Sequence, residues 1–244
     1  MTAAAQRTVT FERLTCTAPA PRTDRMAEVV LQHVSAERTV RVLDLGCGTG
    51  GLIFRLARAL PRAECVGIDV SHANIKAAEA DRLNREEGSR VRFQAVDYLS
   101  WPAEPFDVIV IDGVLHLIAC DTGALVAKLA HDLAPSGLMI NAMPYDCAYN
   151  RAFGVIRKGL RSIRGSWSDR IILAVGRLLH GEMSPDLLRE RVHYMYLAPE
   201  RLMGEDFLRQ LANRGVDYVT AYPMASTSAA QLRHSVTVFR KRVI

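Results

Sequence analysis

"VLDLGCGTGG", residues 42–51, joins a short apolar run to a loop in which alternate residues are glycine. This order predicts a β-strand that enters a helix through a tight turn. Gly46, Gly48 and Gly51 fit the G-x-G-x-x-G spacing of dinucleotide-binding loops, whose backbone N–H groups hold a pyrophosphate. Asp44 does not suit that ligand, because a carboxylate below the loop repels phosphate. The stretch therefore predicts a cofactor loop and leaves two classes of cofactor open.

Short apolar runs alternate with helical patterns on both sides of this loop. Strands are predicted at 41–46, 64–70, 91–97, 106–112 and 138–143, and helices at 50–60, 71–88 and 122–137. Ser71 can cap the second of these helices, and Pro135 with Gly137 is expected to end the third. Strands that alternate with helices require a parallel sheet covered on both faces.

The alternation stops between residues 145 and 197, where two helical patterns follow each other. In the first, Phe153, Ile156, Leu160 and Ile163 share a predicted apolar face. A helix is then predicted at 204–215, and two strands, at 216–223 and 234–241, are expected to pair as an antiparallel hairpin.

These patterns predict an α/β fold with a Rossmann-like, doubly wound, mostly parallel seven-stranded sheet, an antiparallel last strand and a helical cap insertion. Residues 1–37 are expected to form an N-terminal helical segment. Residues 38–144 and 198–244 are expected to form the core, and residues 145–197 the cap over a substrate.

Composition narrows the class of protein. The chain has 244 residues, of which 49% are apolar, and a formal net charge of +5, which is far from the dense basic stripes of dedicated nucleic-acid binders. It contains no apolar run long enough for a membrane span or an export signal, so a cytoplasmic protein is expected. Its five cysteines have no CxxC pair, which argues against a disulfide framework and a zinc cluster: Cys16, Cys47, Cys65, Cys120 and Cys147.

Acidic residues close several predicted strands, at the edge of the sheet where such folds bind ligands. Asp69 lies near the offset at which a dinucleotide site places its ribose-binding acid, so pattern alone does not exclude NAD. Asp44, however, suits a cofactor with a cationic amino group and a sulfonium. S-adenosylmethionine has both groups.

The motifs "DLGCGTG", "GIDVS", "AVD" before "FDVIVIDGVLHLI", and "LAPSGLMI" resemble those of the class I S-adenosylmethionine-dependent methyltransferase family, over residues 38–143. The resemblance implies that Asp44 holds the methionyl amino group and that Asp69 accepts both ribose hydroxyls. It implies that Asp97 binds the adenine amino group, with Val70 or Tyr98 packed on the ring. The other residues that it places at the cofactor are Gly46, Cys47, Gly48, Gly50 and Asp112. Each aspartate alone also fits a strand-end turn.

Two places are candidates for acceptor chemistry. His116, four residues beyond Asp112, is predicted to be the general base or to orient the acceptor; local hydrogen bonding is the alternative. In "RVHYMYLAP" (191–199), alternation predicts that His193 points opposite to Tyr194 and Tyr196. These three residues and Tyr145 and Asp146 are the predicted substrate contacts, although the tyrosines also suit anchoring of the cap.

Basic residues are frequent at the start of the N-terminal helical pattern and in the cap. Arg22 and Arg25 lie at the start of the N-terminal helix, where they could meet the carboxylate of the cofactor or remain solvated. Arg157, Lys158, Arg161 and Arg164 form a basic run in the cap that could meet a phosphate, a carrier protein or a substrate carboxylate, or form a solvated face.

The predicted function is methyl transfer from S-adenosylmethionine to oxygen or nitrogen, less readily carbon, of a small biosynthetic intermediate, with specialised metabolism as a candidate context. The alternatives are an RNA or protein methyltransferase and a non-methylating protein that binds the cofactor. The (N/D/S)PP(Y/F) signature of amino-methylating enzymes of nucleic acids is absent, since "IDGVLH" stands in its place. Asp112 lacks an acidic companion, so no metal is expected. No membrane partner is predicted, and both a monomer and a homodimer remain open.

Overall fold

The computed structural model describes residues 18–179, 188–189, 192–224 and 232–243. Residues 1–17 of the predicted N-terminal segment lie outside the described ranges, and so do parts of the predicted cap, among them residues 180–187. No helix in the described ranges is long and apolar enough to cross a bilayer.

The chain alternates strands and helices as predicted. In order, the elements are α1 (Ala20–His33), β1 (Val40–Leu45), α2 (Gly51–Ala59), β2 (Ala63–Asp69), α3 (His72–Arg82), β3 (Val91–Ala95), β4 (Phe106–Asp112), α4 (Thr122–Asp132), β5 (Leu133–Pro144), α5 (Ala148–Ser162), α6 (Ser166–Leu179), α7 (Glu205–Asn213), β6 (Val216–Pro223) and β7 (His234–Lys241). Short 3-10 helices span Glu86–Arg90 and His193–Tyr196.

The strands form one seven-stranded sheet in the order β3-β2-β1-β4-β5-β7-β6. The first five strands are parallel, and β7 pairs antiparallel with both β5 and β6. This confirms the predicted fold class. Because the strand order reverses between β1 and β4, the carboxyl ends of these two strands flank a crevice.

Two apolar clusters cover the two faces of the sheet. Residues of α1, α2 and α3 pack on one face, and residues of α4 and α7 pack on the other. Val42 and Leu43, which are consecutive in β1, are both fully buried because they point to opposite faces. This two-sided burial explains why the parallel strands appear in the sequence as continuous apolar runs.

Two predictions about helices were wrong. The helix predicted at 122–137 ends at Asp132, and Leu133 already pairs with Phe106 as part of β5, so Pro135 and Gly137 lie in a strand with a bulge. On α5 the predicted apolar face is not the buried one: Ile156 is 52% exposed, whereas the inward face consists of Asn150, Gly154 and Arg157. The face of this helix that points inward is therefore polar.

Candidate functional site: a carboxylate crevice under a helical cap

The glycine loop leaves β1 and turns back over β2. Gly46, Gly48 and Gly50 have φ angles of 75°, 55° and 87°, in the left-handed region that favours glycine. The N–H groups of Gly46 and Cys47 donate to the carbonyl of Ile68 at 2.8 and 3.0 Å. The loop is thereby fixed between the ends of β1 and β2.

The geometry of the glycines separates the two predicted cofactor loops. A dinucleotide loop needs its third glycine, here Gly51, for close packing of helix on strand. A Cβ on Gly51 would meet no atom within 4 Å, whereas a Cβ on Gly50 would lie 2.8 Å from the rings of Phe54 and Phe93. The constrained positions are thus 46, 48 and 50, which is the set that the methyltransferase resemblance implies.

Three carboxylates converge on this loop from the ends of β1, β2 and β4. Asp44 is 2% exposed, and its Oδ2 has no hydrogen-bond partner in the described part of the chain. Burial raises the pKa of Asp44 well above its ordinary value, and the charges of Asp112 and Asp69 raise this pKa further. A buried, unsatisfied carboxyl among like charges fits a cationic ligand such as an ammonium or a sulfonium group.

Asp69 shapes the loop as well as facing the crevice. Its Oδ2 accepts the N–H of Gly48 at 2.9 Å, and its Oδ1 accepts the N–H of Ser71 at 2.8 Å. Each carboxylate oxygen has a second lone pair, so the group can still accept the two hydroxyls of a ribose. Ser71 in turn caps α3 by accepting the N–H of Asn74, which confirms its predicted capping role.

Asp112, at the end of β4, pairs with Arg22 of α1. The Nη2 and Nε atoms of Arg22 donate to its Oδ1 at 2.5 and 2.6 Å. Arg22 therefore pairs with one of the three carboxylates and ties α1 to the end of β4. No cluster of three metal-ligating side chains occurs in the described ranges, and the metal-free site stays a prediction.

The remaining cofactor candidates occupy different surroundings. Asp97 is exposed and accepts the N–H of Leu99 through Oδ1, and Val70 is half-buried beside Asp69. The Cys47 thiol is buried, and the contact of this residue with the cofactor stays a prediction. Tyr98 differs from the expectation: its ring fills the core beneath α4, with the Lys128 Nζ 4.7 Å from the ring centroid. Of the two residues predicted to pack on the adenine ring, Val70 stays the candidate.

His116 lies in the turn after β4 and is 5% exposed. Its Nδ1 has no hydrogen-bond partner in the described part of the chain, and its ring meets that of His234 edge to face with centroids 5.7 Å apart. Burial lowers the pKa of His116 well below its usual value, and the nearby charges of His234, Arg22, Arg157 and Arg201 lower this pKa further. This shift favours the neutral imidazole near neutral pH, and the role of His116 in the reaction stays a prediction.

The segment after the second 3-10 helix contacts the turn that carries this histidine. The Glu200 N–H donates to the His116 carbonyl at 2.8 Å, and the buried Arg201 donates to the carbonyls of Leu115 and Cys120 at 2.7 and 2.8 Å. The turn that carries His116 is thus held in place by the returning chain.

Tyr145 and Asp146 follow β5 but face different spaces. Tyr145 is half-buried and forms a bridge with Met203. The Asp146 carboxylate pairs with Arg151 at 2.5 Å, and it lines an open groove of about 1080 Å³ between α5 and α7. Asp146 therefore faces this groove together with Asn150 and Gly154 of α5.

The residues of the 193–196 segment form a 3-10 helix, so the predicted alternation of faces was wrong. The side chains of His193 and Tyr194 are not among those that the structure describes. Tyr196 is 2% exposed, and its hydroxyl donates to Asp169 at 2.6 Å and bonds Ser168 at 2.9 Å. This placement supports the cap-anchoring role over substrate contact.

Sequence reasoning missed His234 and did not separate Arg157 from its exposed neighbours. His234 begins β7 and faces His116, and no motif marks it because antiparallel pairing with Pro144 brings it there. Arg157 is 8% exposed, while Lys158, Arg161 and Arg164 point to solvent. The only sequence signal for Arg157 was its place beside polar Asn150 and Gly154 at helical spacing.

Comparison with known proteins identifies related chains. Residues 36–159 match the family model described as a methyltransferase domain. The chain is 31% identical over 150 residues to a trans-aconitate 2-methyltransferase of Azoarcus sp. (strain BH72), covering 60% of this chain and 54% of that protein. It is 34% identical over 168 residues to a ribosomal protein L11 methyltransferase of Bradyrhizobium diazoefficiens, covering 63% and 54%. The chain spans about half the length of these curated relatives.

A solved structure extends the likeness in fold over nearly the whole chain. The N-methyltransferase NodS from Bradyrhizobium japonicum WM9, in complex with S-adenosyl-L-homocysteine, matches with a TM-score of 0.60 and 16% identity. This match covers 98% of this chain and 99% of NodS. The chain therefore belongs to the class I S-adenosylmethionine-dependent methyltransferase family, and its cofactor is S-adenosylmethionine.

Proposed function

We propose that the protein transfers the methyl group of S-adenosylmethionine to an oxygen or nitrogen of a small biosynthetic intermediate. The observation that carries this proposal is the position of His116, a buried imidazole with an unbonded Nδ1, in the turn after β4, whose last residue Asp112 is one of the three carboxylates that converge at the ends of β1, β2 and β4. One side of this crevice suits the cofactor, and the other suits an acceptor.

The residues of the crevice divide the binding of the cofactor between them. Asp44 would bind the methionyl ammonium, because this contact gives its unsatisfied Oδ2 a cationic donor. Asp69 would accept the ribose hydroxyls, Asp97 the adenine amino group, and the loop of Gly46, Gly48 and Gly50 would admit the cofactor close to the backbone. When bound, the cofactor supplies a methyl group on a positively charged sulfur that is already activated as a leaving group.

His116 would act on the acceptor. With its proton on Nε2, a neutral imidazole accepts a hydrogen bond at the unpartnered Nδ1 from an O–H or N–H, which aligns the nucleophile for an in-line displacement. As the acceptor loses its proton, Nδ1 receives it. Burial excludes water from this step, and the roof formed by residues 197–201 keeps the histidine in place.

Several observations support a small acceptor. His116 is almost completely buried, and Glu200, just after the predicted cap, bonds the backbone of its turn. The trans-aconitate 2-methyltransferase relative makes trans-aconitate and similar small acids the first acceptors to screen. Within the same proposal, we keep the cytoplasm as the compartment, the division into core and cap at 145–197, and an oligomeric state of monomer or homodimer.

A macromolecular acceptor is the second candidate. It is favoured by the exposed basic residues Lys158 and Arg161 of α5 and Arg164 just after it, and by the relative named for ribosomal protein L11. A reaction of this kind is expected to slow steeply as salt concentration rises, because surface charge would guide the partner.

Transfer of label from methyl-tritiated S-adenosylmethionine tests the proposal. The protein would be incubated with a cell extract that is then separated into small molecules, protein and RNA. Label in the small-molecule fraction, lost with His116→Gln, is the expected result. Label in protein or RNA would support the second candidate, and cofactor binding without label transfer would contradict methyl transfer altogether.

A further inference from the structure

The inward face of α5 carries a charged group that no described carboxylate neutralises. Arg157 is 8% exposed, and its Nη1 donates to the carbonyl of Leu197 at 3.2 Å. Its Nε is buried without a hydrogen-bond partner, and no ion pair with Arg157 occurs among the described residues. The ring of Phe153 lies against the guanidinium, 5.1 Å from ring centroid to Cζ.

Contacts of α5 and of Leu197 place this guanidinium near the two histidines. Asn150, two turns earlier on α5, donates to the carbonyls of Tyr145 and Arg233, so the helix is fixed where β5 ends and β7 begins. Leu197, which accepts from Arg157, leads directly into the segment that roofs His116. The charge of Arg157 also contributes to the lowered pKa of both histidines, which places the three groups near one another.

An unpaired buried guanidinium is costly for the fold. Removing a charge from water without a partner costs free energy, because the interior cannot replace its hydration. Burial lowers the pKa of Arg157 to about 10, a value at which the group remains positively charged near neutrality. A buried guanidinium without an ionic partner, at a place where an apolar side chain would pack more easily, is typical of an anion-binding site.

We propose that the methyl acceptor carries a carboxylate group, and that the Nε edge of Arg157 binds it while His116 faces the nucleophile. The unbonded Nε and the neighbouring Nη2 present two parallel N–H donors, the geometry that matches the two oxygens of a carboxylate. Near His116, Arg22 is paired with Asp112 and Arg201 donates to the carbonyls of Leu115 and Cys120, so Arg157 is the guanidinium there that keeps an unbonded donor in the described part of the chain. This inference rests on the proposed function and specifies its acceptor class.

Calorimetry with charge-matched probes tests this inference without turnover. The complex of the protein with S-adenosylhomocysteine would be titrated with acetate, benzoate and 4-hydroxybenzoate, and with the amide of each. At least one carboxylate is expected to bind, with its amide weaker by about thirtyfold or more, because only the carboxylate pairs with the guanidinium. Arg157→Gln is expected to remove this preference, and Lys158→Gln, one residue along on the exposed side, to preserve it.

Arg157→Lys provides a second variant that keeps the charge and loses the two-donor edge. It is expected to bind the carboxylate with intermediate affinity. Binding of amides as tight as that of carboxylates, no carboxylate binding by the wild-type complex, or a preference that survives Arg157→Gln would overturn the inference. Titration with S-adenosylhomocysteine alone separates the two proposals. Failure of this ligand to bind would contradict the proposed function at its cofactor site, whereas failure of the carboxylates to bind the complex would contradict the inference about Arg157.

Discussion

His116 and His234 meet edge to face, with their ring centroids 5.7 Å apart, although 117 positions separate them in the chain. The Nδ1 of His234 bonds the carbonyl of Leu232 at 2.7 Å, so this nitrogen carries the proton of the neutral ring. Burial lowers the pKa of His234 to about 3, with a further contribution from the charge of Arg22, and His116 is shifted in the same direction. Two neutral histidines therefore border the acceptor side of the crevice.

The pH dependence of stability should report these histidines. Their folded-state pKa values lie below the unfolded value of about 6.5, so unfolding takes up protons at acidic pH. The free energy of unfolding should therefore fall as the pH drops below about 6.5, by up to about 1.4 kcal/mol per pH unit for each histidine. Urea titrations at several pH values between 7.5 and 5 should show that the free energy of unfolding of His234→Gln changes less steeply with pH than that of the wild type. The control His72→Gln, at an exposed position, should keep the wild-type slope.

His116→Gln is expected to lower the rate of methyl transfer by about a hundredfold or more, which is the usual contribution of a positioned proton acceptor. Affinity for S-adenosylhomocysteine should change by less than about twofold, because no predicted cofactor contact is removed. Single-turnover kinetics with an identified acceptor would measure the first quantity, and calorimetry the second. Undiminished turnover would eliminate His116 as the group that acts on the acceptor.

Gly50→Ala and Gly51→Ala form a matched pair of adjacent substitutions. Gly50 has a φ of 87°, and an added Cβ would lie 2.8 Å from Phe54 and Phe93, so this variant should lose about 2 kcal/mol or more of stability. Gly51 opens α2 where a Cβ meets no atom within 4 Å, and alanine there should be neutral or slightly stabilising. Thermal unfolding would measure both. Equal effects would contradict the loop geometry.

Asp44→Asn should stabilise the ligand-free protein near neutral pH while weakening cofactor binding. The folded-state pKa of Asp44 lies above the unfolded value of about 3.9, so its ionised form opposes folding above that pH. The gain in stability over wild type should therefore be larger at pH 7.5 than at pH 5, as measured by urea titration. Asp217→Asn is the control, because this exposed carboxyl pairs with Arg242 and its pKa is lowered. A loss of stability in Asp44→Asn would contradict the unpaired buried carboxyl.

The sequence contained most of the sheet and part of the site, for reasons that are local. Parallel strands buried on both faces leave apolar runs, and glycines that need positive φ leave a spaced motif, so β1 to β4 and the loop were recognisable. The carboxylates closing β1, β2 and β4 followed from the rule that ligands bind at the carboxyl ends of strands.

The acceptor side was less predictable because distant segments assemble it. His234 reaches His116 through antiparallel pairing of β7 with β5, and Arg157 points inward because α5 buries its polar face. A rule that buries apolar residues assigns the opposite face of this helix, with Ile156 inside. Tyr98 was misplaced for a similar reason, since the loop after β3 turns its ring toward α4.

Calorimetric titration with S-adenosylhomocysteine and, separately, with NADH tests the central claim that three converging carboxylates select this cofactor. The account predicts binding of S-adenosylhomocysteine alone, weakened at least about tenfold by Asp69→Ala, because this change removes the acceptors for the ribose hydroxyls. Binding of NADH, with no response to S-adenosylhomocysteine, would contradict the role of Asp44 in cofactor choice and the proposed methyl transfer with it.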